Sequence, residues 1–193
     1  MTELPEMTSS PEERLIIPAL APFYHCFAQP FGWAIFRLII GALLIVEGWP
    51  KIMAPMAQSG FVESLGFYPG WIFSPLLSVM QVGGGLLIAL GLLTRPVALI
   101  NAVMLTITLW FHMTHPYGDA FLTAEGIAFL KNNPQYLTAE GQSSLLADGG
   151  HAFLHQVQMK AQFNSTFWFA GAAIIAAFGG GRISLDRLLR KEF

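Results

Sequence analysis

Residues 71–93 read WIFSPLLSVMQVGGGLLIALGLL, a run without a formal charge. A bilayer core about 30 Å thick is crossed by roughly 20 mostly apolar residues in a helix. The run has that length, and it is too uniformly apolar for an amphipathic helix resting on a soluble core. Working outward, three more segments share its character. Upstream, 31–49 (FGWAIFRLIIGALLIVEGW) is interrupted only by Arg37 and Glu47. Downstream, 96–112 (PVALINAVMLTITLWFH) opens on Pro96, a residue suited to a helix's first turn. The last, 163–180 (FNSTFWFAGAAIIAAFGG), runs into Gly179, Gly180 and Gly181, where glycine can end a helix by taking positive φ. Barrel strands would alternate in polarity, and these runs do not. The fold expected is all-α, a four-helix transmembrane bundle with a periplasmic cap inserted between helices 3 and 4.

Composition agrees. Of 193 residues, 54% are hydrophobic and 11% charged, under half the charge of an average soluble domain at about 25%. Ten Lys+Arg against twelve Asp+Glu leave −2, which gives no basic footprint for nucleic acid. A single cysteine, Cys26, excludes an intrachain disulfide, a C-x-x-C pair and a Cys-based zinc site. Nucleotide-loop, nucleophile-elbow and H-E-x-x-H patterns are also missing from the sequence.

The chain divides into a cytoplasmic N-terminal tail (1–30), helices 1–3 (31–112), a periplasmic insertion (113–162), helix 4 (163–181) and a cytoplasmic basic tail (182–193). The tail carries Glu3, Glu6, Glu12 and Glu13 and is not built like a secretory signal. Lys and Arg near span ends set orientation. Arg14, Arg95, Arg182, Arg187, Arg190 and Lys191 fall on the side of both termini, against Lys51, Lys131 and Lys160 opposite. Both termini are therefore expected in the cytoplasm of a multi-pass protein of a bacterial inner membrane. The insertion contains helix-like runs such as LTAEGIAFLKN and is too long for a plain connection.

Three motifs resemble the DoxX family. FRLIIGALLIVEGWPKI matches its R-L-x-x-G…G-x-x-K entry, and QVGGGLLIALGLLTRPVAL its E-x-x-G-G-x-L-L-x-x-G-x-x-T-R stretch. GGGRISLDRLL is similar to its G-x-G-R-x-S-L-D ending. The resemblance implies a four-helix membrane bundle. Some relatives are associated with quinone-coupled thiosulfate oxidation and others with redox or oxidative-stress partners. Gln81 stands where the family often has an acidic residue.

Charges within spans are costly and need explaining. Arg37, Glu47, Lys51 and Arg95 all lie near span ends, where long stems can carry charged heads to the headgroups. Alternatively Glu47 and Lys51, four apart, pair on one helix face, although Pro50 could break that turn. They are the candidate catalytic residues, Glu47 as a proton-handling group. Gln81 precedes Gly83, Gly84 and Gly85, which read as a close-packed seam with Gln81 hydrogen-bonded to Asn101. The functional reading makes Gln81 and Asn101 donors to a quinone carbonyl. His112 with His115, and His151 with His155, have spacings that can ligate a metal or haem, with Asp119 and Asp148 behind them, or they simply face water at the interface.

Two functions follow. One is a protein of respiratory or redox chemistry, quinone-interacting or an accessory subunit of a membrane oxidoreductase. The other is a non-catalytic structural or assembly subunit, its partners being lipid and other membrane subunits. A solute transporter is disfavoured by four spans without an inverted repeat. The closing RISLDRLLRK is basic and amphipathic, suited to anionic headgroups.

Overall fold

The computed structural model describes residues 16–115 and 124–190; Arg14, Pro116, Asp119, Lys191 and the acidic residues of the tail lie outside them. Eight α-helices occur among the described residues, without a strand: α1 (Gln29–Met53), α2 (Ser59–Ser64), α3 (Gly70–Leu90), α4 (Thr94–Thr114), α5 (Ala124–Asn132), α6 (Ala139–Ala147), α7 (His151–Phe178) and α8 (Leu185–Leu188). A π-helical turn, Phe23–Ala28, runs straight into α1. Aromatic residues at i,i+4 spacing stiffen it, with the Phe27 and Phe31 rings 4.7 Å apart. Part of the expected tail is therefore helix.

Three stretches are long and apolar enough to cross a membrane: Phe23–Met53, Gly70–Leu90 and Thr94–Thr114. These match the first three expected spans. The fourth long helix, α7, has 28 residues but is not among them. Its N-terminal half carries Gln156, Gln158, Lys160, Gln162 and Asn164, which dilute the apolar run that follows. Helix also begins at His151, well before the expected span, so among the described residues the insertion keeps α5, α6 and a 3-10 turn at Pro134–Tyr136 as separate elements.

α1 packs chiefly against α3, and α4 against α7. Ile40, Leu44, Ile88, Leu105, Ala172 and Ile175 form the buried centre. Leu38, Val46, Val79, Leu86, Leu99 and Val103 point outward, an apolar exterior suited to lipid rather than water. The glycines of α3 divide the packing between them. A Cβ on Gly85 would come 2.6 Å from the Gly41 carbonyl of α1, and one on Gly84 would overlap the Asn101 amide of α4. Gly83 meets nothing closer than Val79, 3.9 Å away on its own helix. The expected seam is present as two seams back to back.

Candidate functional site

The two ends of the bundle are built differently. At one end the turn between α3 and α4 meets the segment leaving α7. α3 stops at Gly91, whose φ of 71° only glycine adopts freely, and the Leu92 amide closes the turn on the Leu87 carbonyl at 2.9 Å. The Asp186 carboxylate then caps α4. It accepts from the Leu93 amide (2.7 Å), the Thr94 amide (2.9 Å) and the Thr94 hydroxyl (2.6 Å). Arg37, on α1, is 3% exposed and donates to the carbonyls of Gly180, Ile183 (2.7 Å) and Ala89 (3.4 Å). Its head therefore does not snorkel to the surface: burial and carbonyl partners hold it inside. The Trp33 indole donates to the Gly179 carbonyl at 2.9 Å. Residues from all three motifs, separated by 52–146 positions, thus lock one end together.

The other end contains a cavity of about 360 Å³ walled by all four long helices and the α1–α2 connection. Glu47 and Lys51 reach it from α1, Gln81 from α3, His112 from α4, and Asn164 and Trp168 from α7. The helix continues through Pro50 to Met53, so Glu47 and Lys51 do share a face. The Lys51 ammonium donates to Glu47 Oε1 at 3.2 Å and to Gln81 Oε1 at 2.9 Å. Gln81 is buried, and its amide nitrogen has no hydrogen-bond partner among the described residues. The expected Gln81–Asn101 bond is replaced, because a charged donor competes better for the Gln81 oxygen. Asn101 instead donates to Val97 on its own helix at 2.9 Å and does not line the cavity.

The histidines have different surroundings. His112 stands in the cavity wall, and its carbonyl accepts from Gln158 and from Gln162 (3.1 Å), which ties the end of α4 to α7. His115 stacks on Phe111 with ring centroids 4.2 Å apart. His151 and His155 are exposed on the first turns of α7. Asp148 accepts from the Ala152 amide at 2.9 Å, so its carboxylate serves the start of that helix. Among the described residues there is no group of three or more His, Cys, Asp or Glu placed to hold a metal ion.

Beside the polar cavity lies an apolar groove of about 400 Å³ between α2, α3 and α4. The two share Phe61, Leu77 and Thr108 as wall residues. The groove's outer edge is formed by Leu76, Leu99, Ile100 and Val103, which are exposed on the lipid-facing exterior. An ammonium, an amide donor and an imidazole at the end of an apolar groove suit a molecule with an oxygen-bearing head and an apolar tail. Sequence reasoning singled out Glu47, Lys51, Gln81 and His112 but missed Thr108, Asn164 and Trp168. The spacing Leu105–Thr108–His112 marks one helical face, yet nothing in it says which helix lies opposite.

Comparison with known proteins gives a consistent placement. The family model described as DoxX matches residues 32–113. The inner membrane protein YqjF of Escherichia coli (strain K12) is 28% identical over 166 residues, which covers 86% of this chain and 97% of that protein. No solved structure matches the chain.

Proposed function

We propose that this integral membrane protein, DoxX-like over residues 32–113, takes up a quinone-type amphiphile from the bilayer of a bacterial inner membrane and serves as a quinone-interacting or accessory subunit of a membrane oxidoreductase. The observation carrying the reading is the polar cavity sharing walls with a lipid-facing apolar groove. Lys51 and the Gln81 amide would donate to a quinone carbonyl, and Glu47 would keep the ammonium in place. The apolar tail would occupy the groove past Phe61 and Leu77.

In this reading α7 is the fourth span. Its Gln162 lies level with His112 at one end of α4, and its Gly179 lies against Arg95 at the other. That stretch of helix is about 26 Å at 1.5 Å per residue, close to a bilayer core. The polar residues of its first half are turned to use, since Gln158 and Gln162 bond the His112 carbonyl rather than face lipid. The arginine-bearing end faces the cytoplasm, with both termini, and α5 and α6 form the cap on the opposite side. Reporter fusions at Phe193 and Leu137 should report opposite compartments, with Phe193 cytoplasmic.

The binding test uses full-length protein in nanodiscs titrated with decylubiquinone, read by tryptophan fluorescence because Trp168 lines the cavity. Saturable quenching is expected, weakened at least tenfold by Lys51→Met and by Gln81→Leu. Quenching that is non-saturable, or identical in the variants, defeats the reading. The assembly-subunit alternative has its own observation. On the α5–α6 side, Phe129 and Tyr136 stack at 5.8 Å and are exposed, as is Leu146. A stable protein partner retained from native membranes and lost in Phe129→Ser would favour it.

A further inference from the structure

A second cavity, of about 690 Å³, lies at the opposite end from the polar cavity just described. Four arginines line it: Arg95 from the first turn of α4, and Arg182, Arg187 and Arg190 from the segment after α7. They come from the middle of the sequence and from its C-terminal segment, which the Asp186–Thr94 contact joins.

Among the described residues that line the cavity, four guanidinium groups stand against one carboxylate, so positive charge is in excess. Asp186 is the acidic residue in the lining, and both of its oxygens are committed to Leu93 and Thr94. Among the described residues the ion pair found is Lys51–Glu47, at the far end of the bundle. Arg182 donates to the His25 carbonyl at 2.9 Å, whereas the Arg95, Arg187 and Arg190 guanidinium groups make no hydrogen bond among the described residues. The Gly179–Gly181 turn forms the floor. A Cβ on Gly179 would stand 3.0 Å from the Arg95 Nε, so glycine lets that side chain lie across the turn. Guanidinium groups gathered around one concavity demand an anion, and their planar donor forks fit phosphate oxygens.

The rim says where that anion comes from. Phe178 lines the basin and is 72% exposed, and Ile183, Leu188 and Leu189 are exposed on the segment that carries three of the arginines, Leu188 by 76%. Large apolar side chains beside a cationic concavity, at the end of the membrane-crossing helices, have the form of a surface that sits at the headgroup level. We propose that the basin of Arg95, Arg182, Arg187 and Arg190 binds a phosphate group, and that an anionic phospholipid headgroup supplies it. The bound lipid bridges α4 to the segment after α7. This proposal does not depend on what occupies the cavity at the other end.

Full-length protein in detergent, stripped of lipid, provides the test through its thermal melting and through lipid adducts in native mass spectrometry. Phosphatidylglycerol should raise the melting temperature by several degrees and give a retained one-to-one adduct; phosphatidylcholine should do neither. Arg187→Gln/Arg190→Gln should weaken the adduct at least tenfold, and Arg95→Gln, on the other segment, should do the same. Lys131→Gln/Lys160→Gln, which removes equal charge at the opposite end, should leave it unchanged. Protection by low-millimolar inorganic phosphate, equal to that by the lipid, would keep the phosphate site and overturn its lipid source. Equal adducts with the arginine and lysine variants, or none with wild-type protein, would overturn the site itself.

Discussion

The two ends of this bundle both set polar side chains among apolar ones and use them in opposite ways. At the arginine end, Arg37 and Asp186 are 3% and 5% exposed and their bonds run mainly to backbone. At the lysine end, Glu47, Lys51 and Gln81 bond one another beside a cavity, and a Gln81 donor is left over. Side chains that saturate backbone groups fix the fold. Those that satisfy one another and leave a donor facing open volume can exchange a partner for a ligand. The contrast between the two ends lies in where their bonds end.

The largest effect should come from breaking the arginine end. Asp186→Ala removes a buried carboxylate from two backbone amides and a hydroxyl. Bonds to charged groups contribute about 1.5–3 kcal/mol each, so a loss of about 4 kcal/mol or more is expected, or failure to accumulate in the membrane. Asp186→Asn keeps one acceptor and should lose about half as much. Arg37→Met should resemble the alanine variant, because it strands the carbonyls of Gly180 and Ile183. Melting in detergent measures all three. If Asp186→Ala melts within a degree of wild type, the end is not a lock and the comparison fails.

Next in size is the α1–α3 seam that joins the two ends. Gly85→Leu puts a side chain onto the Gly41 carbonyl, which is backbone and cannot turn aside. Overpacking typically costs about 1–3 kcal/mol, and a backbone clash belongs at the upper limit. Gly83→Ala is the control. Its Cβ meets Val79 at an ordinary 3.9 Å, and the change should stabilise by about 0.5–1 kcal/mol, as alanine does for glycine inside a helix. Equal losses from both would mean that α3 is rotated relative to its neighbours.

These variants also mark what the sequence could reveal. Uniform apolar runs betray membrane helices because no other environment tolerates them, so three spans were legible. The long helix α7 does not stand with them, because Gln158 and Gln162 dilute its apolarity while bonding a carbonyl on another helix. The pairing of Asp186 with Thr94 has no local signature: the partners are 92 positions apart, and only the fold brings them together. Glu47 and Lys51 were legible as a pair because four residues make one helical turn. Their third partner was not, since the choice between Lys51 and Asn101 as partner for Gln81 depends on how α1 and α4 flank α3. That His112 shares a cavity wall with Lys51 and Gln81 is likewise set by helix packing and not by its spacing to His115.

The smallest effect on stability, and the one that sharpens the comparison most, is expected at Lys51. Its ammonium makes two bonds, as the carboxylate of Asp186 makes three, yet its side chain is 20% exposed and that of Glu47 45%. Water can replace much of what each loses. Partly exposed ion pairs contribute about 0–1 kcal/mol, so Lys51→Met should melt within about 1 kcal/mol of wild type, and Glu47→Gln should change less. Decylubiquinone quenching should nevertheless fall at least tenfold in Lys51→Met, because the donor facing the cavity is gone. Lys51→Arg, which restores the charge and its reach to Gln81, should recover part of that binding without altering melting. The two readouts must separate for the lysine end to be a ligand site. Should Lys51→Met lose as much stability as Arg37→Met, the Glu47–Lys51–Gln81 cluster would be a second lock. The cavity beside it would then be only a gap in packing.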